Sequence, residues 1–225
     1  MEVLPNGRRH HNLPWPPTAG PLSIDRINDA DRAALRELAK DKRFIIEIGT
    51  FFGGSAETML DASDAEMICI DTFTGTPGNE TAGVAKQVML SYAALRLDRF
   101  SGRASIIVAS SQQAARFISP GTADMIFLDA DHSYENVKAD IAAWMPKLKA
   151  GGIFAGHDYY KWSDTYTDDE LAARGHLQLD PDSTVHCGVV LAMREAFEQF
   201  EAMGDGDCSV WYVKRDWYNP LKKAA

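Results

Sequence analysis

The chain has 225 residues and a formal net charge of −9, with 45% hydrophobic and 24% charged residues. This is ordinary globular usage, which excludes a wholly disordered or fibrous chain, and the acidic balance argues against a protein that coats nucleic acid by neutralising phosphates. No run of about 18 apolar residues marks a membrane span, no apolar signal core opens the chain, and Cys69, Cys187 and Cys208 are too few and too scattered for a disulfide framework, so a reducing cytoplasm is the expected location.

Residues 1–22 hold Pro5, Pro14, Pro16, Pro17 and Pro21 among Arg8, Arg9, His10 and His11. Proline fixes φ and removes a backbone donor, so this stretch reads as an extended arm. It is either a surface-packed tail or, with Trp15 as anchor, a lid or strap across a second copy. Residues 23–225 read as a single domain. Asp25 and Asp29 offer caps for a helix with Ala33, Leu35, Leu38 and Ala39 at helical spacing. Residues 44–48 are a short apolar run before a glycine, a buried strand. A helix is predicted over 55–60, a second strand over 67–71, and a helix over 79–100 bearing Val84, Val88, Leu90, Leu95 and Leu97. A third strand follows at 104–109, a helix at 112–117 and a fourth strand at 125–129. Val137, Ile141 and Trp144 share one stripe of a helix over 134–148. A fifth strand spans 152–156, a polar loop 160–183, a helix 188–203 and a last strand 209–214.

Several of these strands are continuous apolar runs, as expected when helices cover both faces of a parallel sheet. Strands alternating with helices indicate a doubly wound α/β fold. In such sheets ligands bind beyond the carboxyl ends of the strands. Those ends are polar here: Glu47, Asp71, Ser110 with Ser111, Asp129, and His157 with Asp158.

The loop Glu47-Ile48-Gly49-Thr50-Phe51-Phe52-Gly53-Gly54-Ser55 lets a ligand approach the backbone. Its glycines miss the dinucleotide spacing, and no Gly-Lys-Ser/Thr follows. A cofactor with a ribose but no phosphate suits it. Asp71, at the tip of the next strand, is placed to accept hydrogen bonds from two vicinal ribose hydroxyls. Asp129 and Asp158, on neighbouring strand ends, could share a hard divalent cation, with His157 as a further ligand. His132 is a candidate general base because imidazole titrates near neutrality. Tyr159, Tyr160, Trp162 and Tyr166 either stack on an acceptor or pack their own loop.

At these residues, over about 40–215, the chain resembles the class I S-adenosylmethionine-dependent methyltransferases. It is most similar to the small bacterial group that includes the macrolide sugar O-methyltransferases and cephalosporin-hydroxylase-like proteins. The resemblance rests on the Gly-rich loop, Asp71, Leu128-Asp129-Ala130-Asp131-His132-Ser133-Tyr134 and the Gly151-Gly152 to His157-Asp158-Tyr159 segment. It implies a Rossmann-like, mostly parallel seven-stranded sheet with a C-terminal antiparallel hairpin. It also implies S-adenosylmethionine bound by Glu47, Gly49, Thr50, Gly53 and Ser55, with Asp71 on the ribose, Ser110 and Ser111 beside the adenine, and Asp129 near the sulfonium. Magnesium would sit on Asp129, His157 and Asp158, with His157 standing where the sugar methyltransferases carry an acid. The implied reaction is O-methylation of a hydroxyl on a sugar or natural product, with His132, Asp129 and His157 as catalytic residues. The implied partner is a small-molecule acceptor, not nucleic acid or membrane, and a homo-oligomer is compatible with the arm. The alternatives are a nicotinamide-dependent oxidoreductase on a similar fold and a non-catalytic cofactor-binding module.

Overall fold

The computed structural model describes residues 27–75, 86–179, 185–204 and 206–218. The proline-rich arm and the first positions of the helix expected at 79–100 lie outside these residues. In chain order the elements are α1 (Asp29–Ala39), β1 (Phe44–Ile48), α2 (Gly54–Asp61), β2 (Glu66–Asp71), α3 (Lys86–Leu97), β3 (Ala104–Val108), α4 (Ser111–Ala115), β4 (Ala123–Leu128), α5 (Tyr134–Trp144), β5 (Leu148–Gly156), α6 (Asp168–Arg174), α7 (Cys187–Ala196), β6 (Glu201–Ala202) and β7 (Trp211–Lys214). The strands form one seven-stranded sheet in the order β3-β2-β1-β4-β5-β7-β6. β1 to β5 pair in parallel, while β7 is antiparallel to both β5 and β6. The strand order reverses between β1 and β4, and that is where a doubly wound sheet opens a crevice for a ligand.

Successive residues of a strand point to opposite faces, and here each face has its own core. Ile46, Ile48, Ile126, Leu128 and Phe154 pack with Val137, Ile141 and Trp144 of α5 and Val190 and Met193 of α7. Ile45, Met67, Met125 and Phe127 pack with Leu35 and Leu38 of α1 and Met59 and Leu60 of α2. Each of these large side chains contributes about 1.5–3 kcal/mol through burial. The alternation also sends Glu47 to the α2 face, although it is charged by type and lies in the middle of an apolar run.

Besides shifts of a few residues at the ends of other elements, such as α5 ending at Trp144 rather than 148, the structure differs from the sequence expectation at four places. β5 starts at Leu148 rather than 152, because an Ala123–Leu148 pairing precedes a register shift to Met125–Ile153. Gly151, at φ 72, takes up that irregularity. The helix expected at 188–203 ends at Ala196, where Phe197 turns extended and packs its ring on Phe154 and Trp211. The last strand starts at Trp211 rather than 209, since the Ser209 N–H is turned to the Asp31 carboxylate (2.9 Å). The segment read as a loop at 160–183 contains a 3-10 turn, Lys161–Thr165, and α6. Just ahead of it Tyr159 is fully buried against Phe200 and donates to Asp164, so that ring packs against the segment. Among the described residues no helix is long and apolar enough to cross a membrane.

Candidate active site

Three non-glycine residues among those described have a left-handed backbone: Phe51 (φ 51), Phe73 (φ 53) and Asp158 (φ 68). All three follow the C-terminal ends of strands. Such conformations cost about 1–3 kcal/mol each and persist only where the surroundings fix them. Asp71 fixes two of them. Its Oδ2 accepts the Phe51 N–H (2.7 Å) and its Oδ1 the Phe73 N–H (2.6 Å). Burial pushes the Asp71 pKa up, against the pull of these amides. With the Thr50 amide also acting on it, the carboxylate keeps capacity for a further donor.

Gly49 (φ +89) closes the crevice from the β1 side. A Cβ there would lie 1.8 Å from the Asp129 carbonyl oxygen, so only glycine permits the approach. The Gly49 N–H donates to Ile70 O (2.9 Å) and the Asp129 N–H to Ile48 O (2.8 Å), which locks the ends of β1, β2 and β4 together. Below this loop Glu47 is completely buried. Its Oε1 accepts from the Ser55 hydroxyl (2.5 Å), while Oε2 has no hydrogen-bond partner. Burial, opposed by the Ser55 bond and reinforced by Asp129 and Asp71, raises its pKa to about 8. The fold therefore favours the neutral acid over the carboxylate at this position.

The ends of β4 and β5 carry a cluster of acids and imidazoles. His132 Nε2 lies 2.9 Å from Asp158 Oδ2 and 3.4 Å from Asp129 Oδ1. Burial works against its charge, but Asp158 and Asp129 outweigh it and raise the pKa to about 10. His157 Nδ1 is 3.0 Å from Asp158 Oδ1 and 3.8 Å from Asp129 Oδ2. Its Nε2 lies 3.2 Å from Asp31 Oδ2 without hydrogen-bond geometry. Despite burial, Asp158 and Asp129 hold the His157 pKa well above the usual imidazole range. Asp158 is held ionised in turn: burial opposes its charge, but His157, His186 and His132 keep its pKa well below the usual carboxylate value.

Two members of this cluster are not legible in the sequence. Asp31 reaches it from α1, where it also closes a capping box with Asn28. His186 reaches it as the N-cap of α7. Its Nε2 is 3.4 Å from Asp158 Oδ1, its ring meets His132 edge-on at 4.3 Å, and burial lowers its pKa. Asp31 reads locally as a cap, and His186 has no partner nearby in the chain; only the topology brings them together.

The sequence pattern of a methyltransferase-domain family matches residues 46–159, just over half the chain. The chain belongs to the class I S-adenosylmethionine-dependent methyltransferases. Solved structures of similar fold include the O-methyltransferase TomG of Streptomyces achromogenes, in complex with S-adenosylmethionine. It has a TM-score of 0.56 and 17% identity, covering 84% of this chain and 82% of that one. The cofactor-bound Rv0187 from MTB matches with a TM-score of 0.58 and 17% identity, over 86% and 84%. At that identity these likenesses bear on the fold. A curated protein of Sinorhizobium fredii is 26% identical over 121 residues, 52% of this chain. The match spans 13% of the length of that relative.

The fold thus brings Glu47, Gly49, Thr50, Ser55 and Asp71 to one side of the crevice and Asp129, His132, His157 and Asp158 to the other. Gly53, at φ 82, caps α2. Ser110 caps α4 in a box with Gln113. The Ser111 hydroxyl donates to the buried Asp140 and accepts from Trp144 Nε1 (2.7 Å), so its hydrogen bonds run into the α4–α5 interface. The orphaned Glu47 Oε2, the buried Thr50 hydroxyl without a hydrogen bond, the spare capacity of Asp71 and the close approach at Gly49 fit a polar cofactor with a ribose. Magnesium fits the opposite side poorly. It demands oxygen donors in a near-ideal octahedron, whereas the donors besides Asp129 and Asp158 are imidazoles, and His157 has carboxylates at both ring nitrogens.

Proposed function

We propose that the protein transfers a methyl group from S-adenosylmethionine to a hydroxyl oxygen of a small molecule, a sugar or natural-product alcohol. The observation that carries this reading is the contact of Gly49 with the Asp129 carbonyl. It sets a loop suited to the methyl donor directly beside a carboxylate–imidazole cluster suited to an alcohol. When bound, S-adenosylmethionine supplies an electrophilic methyl group on a sulfonium. Asp71 would hold its ribose hydroxyls, and Glu47, Gly49, Thr50, Gly53 and Ser55 would line the rest.

An alcohol needs two things from the protein: orientation toward the methyl group and a proton acceptor. His132 is already pinned between two carboxylates and carries its proton there, so its lone pair is not available in this arrangement. We assign the proton to Asp129, whose side chain is 20% exposed against 10% for Asp158. His132 and His157, as cations beside it, favour the negative charge that grows on the acceptor oxygen. No step is routed through magnesium. The three cysteines are buried and form no disulfide, which suits the cytoplasmic location we assign.

Calorimetric titration with S-adenosylmethionine, with NAD as the control, tests the donor, and a screen of hydroxylated small molecules read by loss of donor tests the acceptor. We expect the donor alone to bind. We also expect Asp129→Asn to keep donor affinity while losing roughly 10²–10⁴-fold in turnover. Binding of NAD instead of the donor, or full turnover by the variant, would overturn the reading.

A further inference from the structure

We infer that His132, Asp158 and His186 form a site for a first-row transition-metal dication of the zinc type, distinct in donor set from a magnesium site. The inference concerns metal binding and does not rest on the methyl-transfer reading. One ligand atom from each residue lies within 4.8 Å of the others. The separations are 2.9 Å between His132 Nε2 and Asp158 Oδ2 and 3.4 Å between His186 Nε2 and Asp158 Oδ1, so each imidazole meets its own oxygen of the one carboxylate. Metal–ligand distances of about 2.0–2.1 Å place neighbouring ligand atoms about 3.3–3.4 Å apart in a tetrahedral shell and about 2.8–3.0 Å apart in an octahedral one. The three residues come from the loop after β4, the end of β5 and the start of α7, so the convergence is tertiary and not a by-product of local sequence.

The hydrogen bond of His186 is the second observation. Its Nδ1 lies 2.5 Å from the backbone carbonyl of Gln178. A carbonyl only accepts, so Nδ1 carries the hydrogen. In the neutral ring Nε2 then holds a lone pair, and that lone pair faces a carboxylate oxygen. Acceptor faces acceptor unless a proton on Nε2 or a metal ion stands between them, so the ring is already aimed at a position a cation can take. A metal-ligating histidine has this same second bond, the far ring nitrogen donating to a carbonyl to fix tautomer and orientation.

The surrounding chain holds the geometry in place. Gln178 Oε1 accepts the His132 N–H (3.0 Å), and its Nε2 donates to Asp131 Oδ1 (2.8 Å). Gln178 thereby ties the backbone of His132 and the ring of His186 to one residue. Gly188, in the first turn of α7, sits so close that a Cβ would lie 2.3 Å from His132 O. Asp158 holds its carboxylate there from a left-handed backbone at φ 68. Two imidazoles and one carboxylate suit zinc, cobalt or iron and not magnesium or calcium, and three protein ligands leave positions open for exogenous oxygen ligands. Imidazole binds a metal through a nitrogen lone pair, so uptake of the ion requires His132 Nε2 to be free of its proton.

The test uses the untagged full chain, stripped with a chelator and titrated separately with zinc, cobalt and magnesium without donor or acceptor. We expect one equivalent of zinc or cobalt per chain, bound at least about 100-fold more tightly than magnesium, and visible d–d bands for the cobalt form. His186→Ala should lose those bands, His186→Gln should weaken them, and His176→Ala, at an exposed histidine, should leave them unchanged. Circular dichroism checks that the variants fold, and the wild-type cobalt spectrum stands whether or not they do. Absence of zinc and cobalt uptake by the wild type overturns the inference. So does tight magnesium binding that His186→Ala leaves intact, because that places the ion on carboxylates alone. Neither result bears on whether the donor binds, so the two readings fail separately.

Discussion

Glu47→Gln should separate stability from charge at the base of the crevice. Glu47 is fully buried with one oxygen unpartnered, and its pKa rises from 4.5 to about 8. At about 1.4 kcal/mol per pKa unit, the ionised form is about 5 kcal/mol less welcome in the native state than in the unfolded chain. The sign follows from proton binding. Below pH 4.5 both states hold the proton, and the side chain contributes no pH dependence. Between 4.5 and about 8 the unfolded chain has lost the proton and the native protein keeps it, so stability falls as pH rises. Above that window both states are ionised and the loss is complete. Glutamine has the same shape and never ionises, and its carbonyl can still accept from Ser55. Urea denaturation of both proteins at about pH 5, 6.5 and 8 should therefore show the variant gaining on the wild type by about 1.4 kcal/mol per pH unit, toward about 5 kcal/mol in all. A gap that stays constant with pH, or that shifts in favour of the wild type, would mean Glu47 is ionised in the fold and would refute the reasoning.

Gly49→Ala must place a methyl group where the Asp129 carbonyl stands, at a φ that alanine resists; we expect a loss of several kcal/mol, roughly 2–4, in thermal or urea unfolding and loss of donor binding. Ser111→Ala leaves Trp144 Nε1 without its acceptor and Asp140 with one donor fewer. It should cost about 1–3 kcal/mol of stability and leave the donor Kd unchanged, and a rise in Kd without destabilisation would instead put Ser111 on the adenine.

The parts of the fold legible in the sequence are those with a strong local signal. The apolar runs of β1, β2 and β4 read as buried parallel strands because they are covered on both faces, and the polar residue ending each one marked the crevice. α6 was obscured by its polar composition, although Thr167 and Glu170 carry a capping box that the spacing alone could have revealed. The end of α7 at Ala196 was hidden because Phe197 stops the helix through a tertiary contact with Trp211 and not through a glycine or proline. In the site, Asp71, Asp129, His157 and Asp158 were visible as strand-end residues. Glu47 was visible as an acid but not as a neutral one, since burial is a property of the packed face. Asp31 and His186 were invisible because nothing near them in the chain hints at what they meet.

The position of Asp31 has a consequence for where this protein can be cut. The family match spans 46–159, and a fragment trimmed to it would keep the strand-end acids and the Gly-rich loop. It would lack α1, and with it the carboxylate that accepts from Ser209 (2.9 Å) and lies 3.2 Å from His157. It would also lack α7 and β7. The unit inherited as a recognisable pattern is therefore smaller than the unit that assembles the site, and the boundary that matters for expression, swapping or fusion lies ahead of Asn28 and beyond Lys214.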